Sequence, residues 1–80
     1  MDTVTVLRNR ILQLCGQKGY TINHLAEYSG VPPSTLKNIL YGVSNSPGIV
    51  TIKKLCDGFE ITLGEFFSTP EFDALEQEIK

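Results

Sequence analysis

Apolar residues recur every three or four positions along most of this chain, the spacing of helices with one buried face. The first helix is predicted from about Thr3 to Gln17, with Asp2 or Thr3 as its N-cap and Gly19 as its stop. Its repeating positions are Leu7, Ile11, Leu14 and Lys18. The same periodicity predicts six helical segments in all and no strand.

Two short helices follow, joined by a tight turn. Thr21 can cap a second helix that ends near Tyr28–Ser29. Pro33 suits the first position of a third helix, because its φ is already helical, and Gly42 ends that helix. Between the two helices, Gly30 can adopt a positive φ without steric cost. The apolar positions of the pair form one seam: Leu25, Val31, Leu36 and Ile39.

Two further helices complete the main body of the chain. Gly48 can cap a fourth helix that runs to about Gly58. Thr62 and Glu65 have the spacing of a capping box, which predicts a short fifth helix ending at Phe66-Phe67.

The segment after Thr69-Pro70 is predicted as an acidic tail helix with an apolar stripe. The stripe consists of Phe72, Leu75 and Ile79. Three roles are open for it: a docking surface for a partner, a dimer seam, or a strap over the first helix. The predicted organisation is a domain over residues 1–68, with a helix-turn-helix at 21–41, and a helical tail over residues 69–80.

The second and third predicted helices have the pattern of a helix-turn-helix that reads DNA. Where two helices cross closely, the residue facing the partner must be small, and Ala26 meets that need. Gly30 supplies the turn, and Leu36 anchors the later helix in the apolar seam. The outward positions of that helix are then free to meet base edges in the major groove.

Composition and charge fit this interpretation with one complication. The chain has 80 residues, 41% hydrophobic and 20% charged, which makes one small globular domain. Its net charge of −2 is unfavourable for binding DNA, but the charge is uneven. Residues 1–54 hold six basic and two acidic residues, net +4, and residues 55–80 hold one basic and seven acidic residues, net −6. We therefore expect a basic half that faces a polyanion and an acidic half that faces away.

Other function classes find little support. Cys15 and Cys56 lack metal-binding spacing, which favours two small buried hydrophobes. His24 stands alone, and no phosphate loop, metal cluster or nucleophile with an adjacent base is found, so we predict no enzyme, no cofactor and no metal. The sequence shows neither a signal peptide nor an apolar run of about 18 residues, so we expect a cytoplasmic protein with no membrane partner.

The chain resembles the Cro and lambda-repressor-like helix-turn-helix family over residues 6–67. The matching residues, in order and with unbroken spacing, are Lys18-Gly19-Tyr20-Thr21, Leu25-Ala26, Gly30-Val31, Thr35-Leu36, Ile39, Gly42, Pro47, Leu55, Ile61-Thr62-Leu63 and Glu65-Phe66-Phe67. The resemblance implies an all-α, compact five-helix domain, here with a short C-terminal helix, that binds operator DNA and regulates transcription in a bacterium or phage. Double-stranded DNA and a second copy of the chain, in a homodimer, are the expected partners, and no small-molecule effector is evident.

The resemblance places four residues of the third helix against bases: Pro33, Ser34, Lys37 and Asn38. Lys37 can donate to guanine O6 and N7, and Asn38 can pair with adenine. Ser34 can take either hydrogen-bonding role, while Pro33 offers apolar contact to a thymine methyl. Six further residues are expected to lie near the phosphates: Thr21, Asn23, Thr35, Tyr41, Ser44 and Asn45.

Three departures from the family pattern change what we expect of phosphate binding and of the core. Many members have Gln in place of Ile22, and Lys or Arg in the loop that here offers Ser44 and Asn45. Members also often pair an Arg with a Glu where this chain has Cys15 and Leu40, which indicates a rebuilt apolar core. Fewer phosphate contacts lower the non-specific affinity, so dimerisation or a partner has to compensate.

Two functions from different classes remain. The first is a sequence-specific DNA-binding transcriptional regulator of the repressor type, which reads the operator with residues 33–41. The alternative is a protein-interaction module, antitoxin-like or phage-accessory, on a helix-turn-helix scaffold with weak or no DNA binding; the acidic total charge and Ile22 favour it. Replacing Lys37 and Asn38 with Ala should abolish operator binding under the first hypothesis and leave the function intact under the second.

Overall fold

The computed structural model describes residues 2–42 and 46–79, which form six α-helices and no β-strand. The helices are α1 (Thr3–Lys18), α2 (Ile22–Ser29), α3 (Pro33–Tyr41), α4 (Ile49–Phe59), α5 (Leu63–Phe67) and α6 (Pro70–Asp73). The all-α prediction is confirmed, and the ends of the first five helices agree with their predicted positions to within one residue. No helix in the described part of the chain is long and apolar enough to cross a membrane.

Side chains at several helix starts satisfy backbone N–H groups that the helix leaves unpaired. Thr21 Oγ1 accepts a hydrogen bond from the N–H of His24 at 3.1 Å, which starts α2. Thr62 Oγ1 accepts from the N–H of Glu65 at 3.0 Å, and the Glu65 carboxylate accepts from the N–H of Thr62 at 3.1 Å, so the predicted capping box is confirmed. Asp2 caps α1, and a hydrogen bond from the backbone of the first turn lowers the pKa of its carboxyl.

One apolar core draws side chains from α1 to α5 and from the turn between α2 and α3. Its members are Leu7, Ile11, Leu14, Cys15, Leu25, Ala26, Val31, Leu36, Ile39, Leu40, Ile52, Leu55, Cys56, Phe59 and Phe66. Cys15 and Leu40 both belong to it, which agrees with the prediction that packed apolar groups replace an ion pair there. Both thiols are free and buried, and desolvation raises the pKa of Cys15 and of Cys56.

The end of α2 packs closely against α4. A Cβ atom added to Gly58 would lie 3.0 Å from both the Cβ and the backbone N of Ser29, so a larger residue fits only if the end of α2 shifts. Ser29 is itself buried, and its hydroxyl donates to the carbonyl of Leu25 at 2.6 Å and accepts from the N–H of Val31 at 3.2 Å. The last turn of α2 is therefore fixed by a helix crossing and by its own hydrogen bonds.

The predicted helix of the tail is wrong beyond its first turn. The helix α6 ends at Asp73, and the described chain from residue 75 to 79 contains no helix. A continued helix would place the carboxylates of Asp73 and Glu76 three positions apart on one face, which slightly disfavours it. The chain instead brings Glu78 to the start of α1, where its carboxylate accepts from Thr3 Oγ1 at 2.6 Å and where the helix dipole favours negative charge.

The predicted apolar stripe of the tail is broken in the same way. Phe72 packs against Phe66 and Phe67 of α5, with ring centroids 6.1 Å and 5.0 Å away. Leu75 is half-buried, whereas Ile79 is 86% exposed. The contact of α6 with α1 is the one that the strap role requires, and it does not test the docking or dimer roles.

Candidate nucleic-acid interface

The two faces of α3 differ sharply in exposure. Its buried face consists of Leu36, Ile39 and Leu40, which pack into the core. Its exposed face carries the four residues predicted to meet bases: Pro33, Ser34, Lys37 and Asn38. Thr35 lies between the two faces and is half-buried. The helix therefore shows solvent a small polar surface with a single cation, while the core holds its other side.

The turn before α3 sets the direction in which that exposed face points. Gly30 has φ 73°, the positive value predicted for it, and its N–H donates to the carbonyl of Ala26 at 2.9 Å. Pro32 precedes the first residue of α3, Pro33, and no side chain caps this helix start. The prolines supply a helical φ in place of a cap. The first-turn side chain of Ser34 is left for other contacts.

The last turn of α3 is held from another helix. Arg8, on α1, donates from Nε to the carbonyl of Ile39 at 2.7 Å and from Nη2 to the carbonyl of Gly42. These contacts are partly buried. A cation at this end also suits the negative end of the helix dipole. Arg8 is thus a structural partner of α3.

Much of the basic charge in residues 1–54 makes contacts within the chain. Arg10 donates to the carbonyls of Phe66 and Glu65 at 2.7 Å and 2.8 Å, and Lys53 pairs with Asp57. With Arg8, three of the six basic residues counted there are engaged. The other three, Lys18, Lys37 and Lys54, are exposed, and none forms a hydrogen bond or ion pair with another described residue. Sequence counting therefore overstates the donors available to phosphate.

The remaining predicted contacts fall at both ends of the helix pair. Thr21 and Asn23 are exposed at the start of α2, although Thr21 also serves as the cap of that helix. Tyr41, the last residue of α3, is 66% exposed. Ser44 and Asn45 lie outside the described residues. The structure thus brings Pro33, Ser34, Lys37 and Asn38 onto one helix surface, with Thr21 and Asn23 on the preceding helix.

The second and third helices of this all-helical domain form a helix-turn-helix, and the later helix has a polar outer face. These features define the helix-turn-helix class of DNA-binding proteins. A family model shows which family within that class. The chain belongs to the Cro/C1-type HTH DNA-binding domain family, whose model matches residues 10–71. The predicted resemblance to Cro-like and repressor-like domains is confirmed.

Individual relatives agree with this assignment. The chain is 42% identical over 59 residues to the HTH-type transcriptional regulator SlrR of Bacillus subtilis (strain 168), a match over 72% of this chain and 39% of SlrR. It is 30% identical over 67 residues to the uncharacterized HTH-type transcriptional regulator YvzC of the same strain, over 84% of this chain and 86% of YvzC. The chain therefore spans less than half of SlrR but most of YvzC.

A solved structure matches the fold over almost the whole chain. The crystal structure of the prophage Lp1 protein 11 superposes with a TM-score of 0.80 and 30% sequence identity, covering 94% of this chain and 100% of that chain. A match of this extent cannot be limited to the helix-turn-helix, because it leaves few residues of this chain uncovered.

Two residues that shape the site were missed as such from the sequence. From the sequence, Arg8 is recognisable only as part of the basic half, and Gly58 only as the end of α4. Both act through contacts with residues about 30 positions away in sequence, Ile39 for Arg8 and Ser29 for Gly58. No local pattern signals such contacts. A glycine inside an otherwise good helix was the one available hint, because it costs helix stability unless close packing requires it.

Proposed function

We propose that this protein is a sequence-specific transcriptional repressor that binds double-stranded operator DNA as a homodimer, with α3 in the major groove. The observation that carries the proposal is the division of α3 into a fully packed face and an exposed polar face. Such a helix can enter the groove without disturbing the core. A regulator of this kind acts in the cytoplasm of a bacterial cell and needs no catalytic group or effector site.

The exposed face of α3 gives each side chain a role in base recognition. Lys37 donates to guanine O6 and N7, and Asn38 pairs with the N6 and N7 edge of adenine. Ser34 donates or accepts at a neighbouring base, and Pro33 packs against a thymine methyl. Because this surface carries one cation and no carboxylate, we expect purine-rich half-site positions rather than cytosine contacts on the strand it reads.

The flanks of the helix pair position the domain on the phosphates. The N–H groups at the start of α2 suit phosphate oxygens, as does the exposed amide of Asn23. Thr21, Thr35 and Tyr41 supply hydroxyl groups nearby. Ser44 and Asn45, which follow α3 in the sequence, are proposed to extend the same contacts.

Selection from random duplex DNA followed by sequencing tests the proposal. A repressor dimer of this family should enrich a palindrome whose half-sites lie about 10 base pairs, or about 34 Å, apart. Enrichment of the palindrome supports both DNA recognition and the dimer. A single half-site without symmetry would contradict the dimer alone, and no enrichment above background would contradict DNA recognition.

One observation favours a second candidate, a protein-interaction module that retains the helix-turn-helix scaffold. Three of the six basic residues in the first 54 positions are engaged within the chain, and the total charge is −2. Both facts reduce attraction to DNA. Under this candidate, the Lys37→Ala, Asn38→Ala double variant would keep its biological activity, whereas the repressor proposal requires that activity to disappear.

A further inference from the structure

The end of α3 differs from the ends of α1 and α2. After α1 and α2, Gly19 and Gly30 adopt positive φ values of 70° and 73°, and their N–H groups turn back onto the last carbonyls of the helix. After α3, Gly42 stays extended, with φ −76° and ψ 161°. Its N–H still reaches the carbonyl of Asn38 at 2.9 Å, but the left-handed turn that closes the other two helices does not form.

A side chain from α1 takes over part of that closure. The guanidinium of Arg8 spans the end of α3, reaching the carbonyls of Ile39 and Gly42 at once. The last turn of α3 has no basic residue of its own, so Arg8 also supplies the positive charge that this helix end favours. Because one planar guanidinium binds two carbonyls, it fixes both the position and the rotation of the helix end.

Arg10 also binds two backbone carbonyls, but those of a different helix, α5. It lies two residues further along α1, and its guanidinium donates to the carbonyls of Glu65 and Phe66 in α5. The last turn of α5 also lacks a basic residue. One helix thus carries two arginines that each bind two backbone carbonyls, and only Arg8 acts on the helix proposed to read bases; Arg10 also bonds Gln13 and lies over the ring of Phe66.

We propose that Arg8 is a positioning residue for DNA recognition: its clamp on the end of α3 sets the angle at which that helix meets the bases. The proposal rests on the proposed function. Base contacts need side chains held within about 0.5 Å of their productive places. Lys37 and Asn38 lie within one turn of the clamped carbonyl of Ile39, so a small rotation of the helix end moves both. Arg8 therefore governs specificity and contributes little direct phosphate contact.

Three variants separate positioning from charge and from general stability. Arg8→Ala removes the clamp, Arg8→Lys keeps the charge but loses the fork, and Arg10→Ala is the matched control on α5. Each is titrated with the duplex enriched by the wild type and with a scrambled duplex, across a salt series. All titrations are run at a temperature where circular dichroism shows each variant folded.

The ratio of operator affinity to scrambled-duplex affinity is the deciding quantity. Arg8→Ala and Arg8→Lys are expected to lower it by about tenfold, the equivalent of one misplaced base contact. Arg10→Ala should change it by less than about threefold, even with an equal loss of thermal stability. If Arg8→Ala weakens both duplexes equally and reduces the salt slope by about 0.9, Arg8 contacts phosphate and the proposal is overturned. An equal loss of ratio in Arg10→Ala also overturns it.

Amide hydrogen exchange on the free protein gives a readout that needs no DNA. Arg8→Ala should speed exchange of the Gly42 amide, which is bonded within the last turn of α3, and Arg10→Ala should leave it unchanged. Unchanged exchange in Arg8→Ala would contradict the clamp. The two proposals fail separately: no enriched duplex for the wild type overturns the proposed function, whereas an enriched duplex with an unaltered ratio in Arg8→Ala overturns the positioning role alone.

Discussion

The two helices of the helix-turn-helix are neighbours of almost equal length, yet they are held in opposite ways. α2 is defined by its own sequence: Thr21 caps its start and Gly30 closes its end. α3 has no side-chain cap at its start, and a residue from α1, Arg8, binds carbonyls at its end. The end of the helix proposed to read bases thus depends on a residue of another helix, whereas both ends of α2 are capped by adjacent residues, although α2 also packs closely against α4 at Ser29 and Gly58.

The difference has a physical reason. A polar N-cap side chain is occupied by the backbone and is less available to a ligand. At the start of α3, Pro32 and Pro33 provide the helical φ without using a hydrogen-bonding group, so Ser34 stays available. Packing of the buried face and the Arg8 contacts at the opposite end hold α3 in place. The contrast between the locally capped ends of α2 and the end of α3 held by Arg8 leads to the predictions below.

Removing the outer surface of α3 should have the largest effect. The Lys37→Ala, Asn38→Ala double variant should bind the selected operator at least about 100-fold more weakly, because each good base contact contributes about 1–3 kcal/mol. Fluorescence anisotropy with labelled duplex measures the change. Lys54→Ala removes the same charge from an exposed position on α4 and serves as the control, with an expected change below about threefold. An equal effect of the control would show that bulk charge, and not the α3 surface, supplies the affinity.

A methyl group placed between α2 and α4 should be the most damaging small change to the fold. In Gly58→Ala the new Cβ would press on the Cβ and backbone of Ser29 at 3.0 Å, so the end of α2 must move. We expect a loss of about 1–2 kcal/mol in the free energy of unfolding, after allowing for the better helix propensity of Ala. Urea denaturation measures it.

Gly16→Ala is the matched control for that substitution. Gly16 lies within α1, and nothing comes within 4 Å of an added Cβ there. The propensity gain should therefore stabilise the protein by about 0.5–1 kcal/mol. Destabilisation by both variants, or by neither, would contradict the close crossing of α2 and α4.

The capping contrast between α2 and α3 can be measured directly. Thr21→Ala deletes the acceptor for the N–H of His24 and should cost about 1 kcal/mol, while Thr21→Ser should recover most of it. Ser34→Ala, at the second position of uncapped α3, should change stability by less than about 0.5 kcal/mol. Thermal or urea unfolding distinguishes them. Equal losses for Thr21→Ala and Ser34→Ala would remove the distinction between the two helices.

The sequence predicts those features of the molecule that depend on neighbouring residues in the chain. The start and end of α2, the capping box at Thr62, and the buried seam through Leu36 all depend on residues within a few positions of one another, and all were predicted correctly. The exposed surface of α3 followed from the same periodicity. Local rules of this kind need no knowledge of the rest of the fold.

The parts that escaped prediction depend on contacts between distant residues. Arg8 reaches a carbonyl 31 positions away, and Glu78 accepts a hydrogen bond from Thr3, 75 positions away. The periodic spacing of Phe72 and Ile79 favours a continued tail helix, whereas α6 ends at Asp73 and the chain brings Glu78 to the start of α1. Apolar spacing alone does not weigh one charged contact against another.

The smallest expected effect is a pH dependence of stability that comes from the two buried thiols. They lie on α1 and α4, the helices that pack against the helix-turn-helix. Cys15 lies in α1 and Cys56 in α4, and burial raises the pKa of both. Unfolded thiols ionise near pH 8.5 while the folded ones stay protonated, so stability should fall as the pH rises through and above that value. Urea midpoints between pH 7 and 10 should decline less in the Cys15→Ala, Cys56→Ala double variant. An equal decline in both proteins would contradict the shifted pKa values.

The most direct test of base recognition by α3 is a double-mutant cycle across the interface with DNA. Each guanine of the selected half-site is replaced in turn by 7-deazaguanine, which lacks the N7 acceptor, and binding is measured for the wild type and for Lys37→Ala. At one guanine, the replacement should weaken wild-type binding by about tenfold and leave the variant almost unaffected, as a shared contact requires. Equal losses for both proteins at every guanine would contradict the contact and, with it, the proposed reading of bases by α3.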